Sequence, residues 1–508
     1  MFVVNAALLT LTSLIMQSVS MAFNIYISKK VGAEGIGLFT LIMSVNGLCV
    51  TFATSGVHLA SVRLVSEALG QNSPKQVRAA MSRCIIYALL FSVATSLCVQ
   101  ISAEYIGNVW LADVRTVRCI RILALSLPFI SVSSAMAGYF SAVRRVAKSA
   151  SMQIFDEIVT ITMVSIGLKL LIPKGTEFAC IAIIGGTCIA EMLSFLYMLI
   201  MYITDIRHCN PNTGSVSPRL TNQMLSITLP VAFTAYAKSG LSTIKNLLIP
   251  YGLKKNGKNS TSALEAYGML SGMAMPIVMF PQVIIASFSG LLVPEITKSR
   301  VMEHYNNIRY IISRVLHVVM LFSIGVCGIL IAFAFDFGEL IYSNNKVSLY
   351  IMLMAPLIPF LYTDSIVDAT LNGLDEQVHS MKINLIDSMI SICLVWFLLP
   401  KMGTYGYILM MYICKLINAA LSFIRLIKVT KLKIQLKKWI IKPAVCISVS
   451  VLLTMFLSNI LHINEHLNIF TLVFKVSFSA SIYFILARIT GCIDNYDWSW
   501  FKELIKDK

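Results

Sequence analysis

The stretches Gln153-Ile-Phe-Asp-Glu-Ile-Val-Thr-Ile161 and Asn384-Leu-Ile-Asp-Ser-Met-Ile-Ser-Ile392 decide the fold, because a constant shift of 231 residues superimposes them and aligns Asp156 with Asp387. The same shift lays Glu34 on Glu265, Gly37 on Gly268, Pro128-Phe129 on Pro359-Phe360 and Ser149 on Ser380. Further along, LIPKG (171–175) meets LLPKMG (398–403) at a slightly smaller shift. The chain is an internal duplication. Both copies are apolar, and a duplicated helical membrane unit is a common transporter design in which two repeats move against each other around a substrate site.

Of 508 residues, 57% are hydrophobic and 13% are charged, about half the charge of a soluble domain. A spanning helix needs roughly 20 mostly apolar residues. Fourteen segments qualify, at about 3–27, 36–66, 79–103, 116–142, 150–172, 178–204, 221–249, 264–296, 308–335, 347–373, 380–399, 404–427, 440–461 and 467–489. The fold class expected is therefore an all-α polytopic membrane protein: two six-helix parallel repeats and a C-terminal helix pair. The expected organisation is a first repeat over 1–206, a polar linker at 207–220, a second repeat over 221–430, and an added hairpin with an interfacial tail over 431–508. The segment 251–263 (YGLKKNGKNSTSA) is read as an insertion where the first repeat turns tightly at Lys29–Glu34.

The net charge is +17. With both termini cytoplasmic, cytoplasmic segments carry 25 Lys and Arg and outer segments 12, as the positive-inside rule requires. Seven of these basic residues fall between Arg425 and Lys442. The excess thus reads as topology and attraction to anionic lipid, with no basic soluble module for nucleic acid. The twelve cysteines are scattered without a CxxC pair, so neither a disulfide framework nor a zinc site is expected. No P-loop, HExxH or GxSxG motif occurs. A non-enzymatic protein without cofactors is the expectation.

Ionisable groups inside spans are costly and default to a functional reading. Lys238 and Lys245 stand seven residues apart on span 7 with Ser242 between them, all on one helical face. Together they can line a cavity for an anion such as a pyrophosphate; the alternative is that the lysines snorkel to headgroups. Span 10 carries Asp364, Asp368 and Asn372 at i, i+4 and i+8. These carboxylates suit a coupling cation or proton relay, or structural pairing with Lys238 or Lys415. Asp156 and Asp387 read as carboxylates placed by helix dipoles near cytoplasmic helix starts. Arg63 and Glu67 stand four apart at the end of span 2, as an intrahelical pair, a cytoplasmic gate or a headgroup contact. Glu191 in span 6 and Arg121 in span 4 are isolated cavity candidates.

GAEGIGLF (32–39), HLASVRLVSEAL (58–69), LPFISVSSAMAGYFSAVRR (127–145), IPFLYTDSIVDATLNGLDEQ (358–377) and LLVPEITKSR (291–300) resemble the multidrug/oligosaccharidyl-lipid/polysaccharide exporter superfamily over essentially the whole chain, above all its stage V sporulation protein B-like and lipid II flippase branch. The resemblance implies a flippase for a polyprenyl-linked saccharide in a bacterial cell membrane, with membrane lipids and cell-wall synthesis enzymes as partners. Where the related lipid II flippases carry an Arg-Asp pair in span 1, this chain reads Phe23-Asn24. Asn24, Arg63, Lys238, Ser242 and Lys245 are thus the substrate-site candidates, and Asp364, Asp368 and Glu191 the ion-coupling or gating candidates. The competing readings are a cation-coupled drug exporter of the same superfamily and a non-transporting scaffold for wall synthesis.

The charge asymmetry sets a test of topology. Cysteines introduced into 251–263 are expected to react with an impermeant maleimide from outside intact cells; labelling from the cytoplasmic side alone overturns the orientation.

Overall fold

In lipid, backbone N–H and C=O groups find partners only within the chain, so spanning segments must be helices or closed barrels. The computed structural model describes residues 2–71, 73–172, 175–207, 218–257, 259–432, 435, 437–460 and 468–492, and among them every regular element is helical. The helices are α1 (Phe2–Thr54), α2 (Val57–Gly70), α3 (Pro74–Tyr105), α4 (Thr116–Ala142), α5 (Val146–Leu171), α6 (Thr176–Arg207), α7 (Leu220–Lys255), α8 (Ser260–Tyr267), α9 (Met275–Met279), α10 (Gln282–Val301), α11 (Tyr305–Ala332), α12 (Ala334–Tyr342), α13 (Asn345–Met354), α14 (Ile358–Gly373), α15 (Gln377–Thr430), α16 (Lys442–Ile460) and α17 (Ile469–Ile489). Most of 251–263 is helical rather than loop, since α7 runs to Lys255 and α8 begins at Ser260. Linker residues 208–217 and tail residues 493–508 lie outside the described residues.

Nine helical stretches among the described residues are long and apolar enough to cross a membrane. This is fewer than fourteen for three reasons, the first being that the expected span 264–296 is broken into α8, α9 and α10. The stretches Thr12–Gly70 (59 residues) and Gln377–Thr430 (54 residues) each exceed two crossings at ~1.5 Å per residue and ~30 Å of hydrocarbon. Each bends at a glycine with positive φ, Gly32 (φ 77) and Gly403 (φ 58), a backbone state that costs glycine little. In addition, α5 and α7 have the length but carry charges.

The chain forms two compact units, Lys30–Tyr251 and Met1–Lys29 with Gly252–Lys508. The duplication is written in their backbones. Ala112 (φ 51) and Ser343 (φ 52), and likewise Arg144 (φ 58) and Asp375 (φ 68), are left-handed residues 231 positions apart. Beside the first pair, Asp113 Oδ1 accepts the backbone N–H of Arg115 (3.0 Å) and Asn344 Oδ1 accepts that of Lys346 (2.9 Å). The same turn is built twice.

In the unit Lys30–Tyr251, α2, α3, α4 and α6 close around Leu64, Met81, Tyr139 and Phe140. Asp205, 4% exposed, ends this core. It accepts Tyr139 Oη (3.0 Å), Lys148 Nζ (2.5 Å) and Arg145 Nη1. In the other unit, α16 and α17 pack on α11: Tyr483 Oη donates to Leu321 O (2.8 Å) and His317 Nε2 donates to Cys492 O (2.7 Å). Lys475, 5% exposed, meets Asp336 Oδ2 at 2.7 Å. The added hairpin is thus fastened by a buried ion pair.

Close approach of α2 and α4 depends on Gly138, where a Cβ would stand 2.6 Å from His58 O and 2.7 Å from Ser61 Cβ. Gly138→Val is expected to lower stability by about 1–3 kcal/mol, read as a lower thermal midpoint of the purified protein. Gly47→Ala is the control, because nothing lies within 4 Å of its Cβ position. Equal midpoints for the two variants would contradict this packing account.

Candidate functional site

Helix α7 lies along the second half of α1 through a hydroxyl seam. Tyr236 Oη bonds Ser55 Oγ, Thr51 Oγ1 donates to Ser239 Oγ (3.2 Å) and Thr243 Oγ1 donates to Ser44 O (3.1 Å). At 100° per residue, Lys238, Ser242 and Lys245 sit about 60–120° round the helix from Ser239. Lys238 is exposed, and Ser242 and Lys245 are half-buried. The three expected anion-site residues therefore share one stripe beside the seam. On α1, Asn24 is half-buried and its Oδ1 is shut off from solvent without a hydrogen-bond partner.

Arg63 Nε binds Glu67 Oε1 at 3.1 Å within α2, with side chains 64% and 45% exposed. Such a pair contributes about 0.3–0.5 kcal/mol, so it is a weak intrahelical bridge. Arg121 is not isolated, since its Nη2 meets Glu104 at 2.8 Å. The dipole reading of Asp156 and Asp387 fails on distance. Each lies ten residues inside its helix, α5 or α15, beyond the first turn over which the dipole acts. Asp156 is held instead by Ser194 Oγ (2.7 Å), one turn along α6 from half-buried Glu191.

The second repeat collects its intramembrane acids around lysine. Lys415 Nζ stands 3.6 Å from Asp364 and 3.9 Å from Asp387. Asp368 accepts Ser380 Oγ (2.5 Å) and Asn384 Nδ2 (3.1 Å), and Asn384 in turn accepts Asn418 Nδ2 (3.3 Å). Asn372, the third member of the i, i+4, i+8 series, is exposed and stands apart. Ser380 and Asn384 mark the duplication in the sequence, but nothing in the sequence signals that they and Asn418 pair with Asp368 and with each other. At the end of this group Glu376 receives Arg425 through two 2.7 Å contacts and His379 Nδ1 at 2.7 Å.

Comparison with known proteins follows from this architecture. The family of polysaccharide biosynthesis proteins matches residues 2–300. Stage V sporulation protein B of Bacillus subtilis (strain 168) is 22% identical over 453 residues, covering 88% of this chain and 87% of its own. Lipid II flippase MurJ of the same organism is 23% identical over 345 residues, covering 63% and 62%. Among solved structures, a lipid II flippase MurJ in an inward closed conformation superimposes with a TM-score of 0.71 at 17% identity, covering 98% of this chain and 100% of that one. An inward-facing multidrug resistance MATE family transporter gives 0.64 at 12% identity, covering 83% and 99%. The resemblance to the exporter superfamily stands, and the fold is that of all-α polytopic membrane proteins.

The Arg425 guanidinium bonded to Glu376 holds that carboxyl below its ordinary value of 4.5, helped by His379. A lowered folded-state value stabilises the fold above the unfolded value and loses that contribution as pH falls through the folded one. Thermal midpoints are expected to be flat near neutrality and to fall below about pH 4.5, with a shallower acid limb in Arg425→Gln. An identical acid limb in that variant would show that this pair plays no part.

Proposed function

The chain belongs to the polysaccharide biosynthesis protein family, and from that premise we propose that it is a flippase moving a lipid-linked saccharide across the bacterial cytoplasmic membrane, both termini on the cytoplasmic side. The match over residues 2–300 carries this reading, supported by relatives named as a lipid II flippase and as stage V sporulation protein B. The substrate class follows as a polyprenyl-linked polysaccharide or peptidoglycan precursor. The remaining partners are membrane lipids and, at the membrane face, wall-synthesis enzymes.

The physical task is to carry a charged headgroup through hydrocarbon. An unpaired ion there costs many kcal/mol, so the protein lowers the barrier by replacing water with fixed cations and hydroxyls. Lys238, Lys245 and Ser242 supply these on α7, with the seam hydroxyls alongside. Asn24 and Arg63 complete the candidate set. No covalent bond changes. The prenyl tail stays in lipid while the site is exposed to each face in turn. A drug exporter for cations would need an acidic site here, and the α7 stripe is basic.

Flipping of a fluorescent polyprenyl-pyrophosphate saccharide in proteoliposomes tests this. Lys238→Ala is expected to slow flipping at least about tenfold, the scale of one charged hydrogen bond. Lys238→Arg should retain part of the rate, because charge persists while geometry changes. Full activity in the doubly neutralised Lys238→Ala/Lys245→Ala variant would remove the anion site. Efflux of cationic dyes by wild type would favour the drug exporter.

A further inference from the structure

The polar groups of the second repeat form a column inside the unit Gly252–Lys508 that headgroup binding does not use. It starts at the turn between α14 and α15 with His379, Glu376 and Arg425. One helical turn inward, Ser380 donates to Asp368. One turn further along α14 stands Asp364, opposite Asp387 and Lys415. Asp364 lies nine residues before the end of α14, about 14 Å in, close to the middle of a bilayer core of about 30 Å.

Three features of the inner triad point to a missing positive charge. Two carboxylates face one ammonium, which leaves a net charge of −1 when all are ionised. The Lys415 contacts of 3.6 and 3.9 Å exceed the ~2.7–2.9 Å of a charge-assisted hydrogen bond. Asp364 Oδ1 and Asp387 Oδ1 are both shut off from solvent without a hydrogen-bond partner. An ionised oxygen in that state is expensive. A proton on either one turns it into a donor and brings the triad to neutrality. A hard metal ion such as Ca²⁺ or Mg²⁺ gathers about six oxygen ligands, whereas here two oxygens are on offer beside an ammonium. The charged groups facing Asp364 are Lys415, Asp368 and Asp387. Helices α10 and α11 approach this stretch through Ser289, against Ser365, and Met320, against Thr363.

We propose that Asp364 and Asp387 share one exchangeable proton, with Lys415 as a built-in counter-cation, loaded from the His379 end of the unit by way of Glu376, Ser380 and Asp368. The only bond that forms is O–H on a carboxylate. The proton comes from water at that end, and the triad charge moves from −1 to 0. With the orientation proposed above, the site reads cytoplasmic pH. The assignment does not depend on which molecule the protein moves.

Infrared difference spectroscopy of the full-length protein in nanodiscs, without any transported substrate, tests the proposal separately from the flippase reading. The expected result is a protonated-carboxyl C=O band that diminishes as the pH is raised and returns when it is lowered. In a Glu191→Gln background, which removes another half-buried carboxyl of the spans, it should be absent in Asp364→Asn/Asp387→Asn and retained in Asp156→Asn. Lys415→Met, which leaves two uncompensated carboxylates, should give about twice the band amplitude. Should the double aspartate variant fail to fold, Lys415→Met still decides. Asp368→Asn should keep the band and slow its exchange with deuterons. A band that survives in the double variant, an amplitude unchanged in Lys415→Met, or a response to sodium in place of pH would overturn the proposal.

Discussion

A charge placed in hydrocarbon has to be answered by the protein itself, and the internal order of each unit depends on how that is done. Four of the deep acids are each met by a cation on a different helix or helix half. Asp205 on α6 is met from the α4–α5 turn, Asp336 on α12 by α17, and Asp364 and Asp387 by the second half of α15. Breaking such a pair by removing one member costs about 3–5 kcal/mol when it is fully buried. An i, i+4 surface pair such as Arg63–Glu67 is worth a tenth of that. Apolar surface cannot hold these helices in register, because lipid tails are as apolar as the helices are. Ion pairs, hydroxyl seams and glycine contacts do it instead.

The duplication separates what a turn needs from what a charge pair needs. Ala112 with Ser343, and Arg144 with Asp375, keep the left-handed conformation at the same shift although the residues differ. Asp113 and Asn344 keep the same cap with different side chains. Backbone geometry fixes the path of the next helix, so it tolerates little change. Side chains at these positions are interchangeable as long as one oxygen reaches the same N–H.

The fold was legible because a membrane span is a local property. Twenty apolar residues announce themselves, and a repeated Asp in a repeated apolar frame announces a duplication. The partners of the intramembrane charges were not legible to the same degree. The spacing of Asp364, Asp368 and Asn372 gives one face of α14, but a face does not name its neighbour. Lys415 lies 51 residues beyond Asp364, and only packing brings it to 3.6 Å. Ser380, Asn384 and Asn418 carry no charge, so nothing in the sequence pointed to them as partners of the acids, although they bond Asp368 and each other. The stripe of Lys238, Ser242 and Lys245 was readable as a stripe from periodicity, since all three share one helix.

Arg145 and Lys148, 231 residues before Glu376 and His379, occupy the repeat-equivalent turn. In the first repeat the turn is basic and the end of α6 supplies the acid; in the second the turn is acidic and the end of α15 supplies Arg425. Coulomb attraction is blind to which partner carries which sign, so both arrangements close the same turn. Topology is not blind, because orientation follows Lys and Arg near span ends. The inversion moves the guanidinium from the turn to the end of the last span, which is the same side of the membrane, into the basic run 425–442. The signal for orientation therefore survives the exchange. What changes is the chemistry of the turn itself, a guanidinium and an ammonium in the first repeat and a carboxylate and an imidazole in the second.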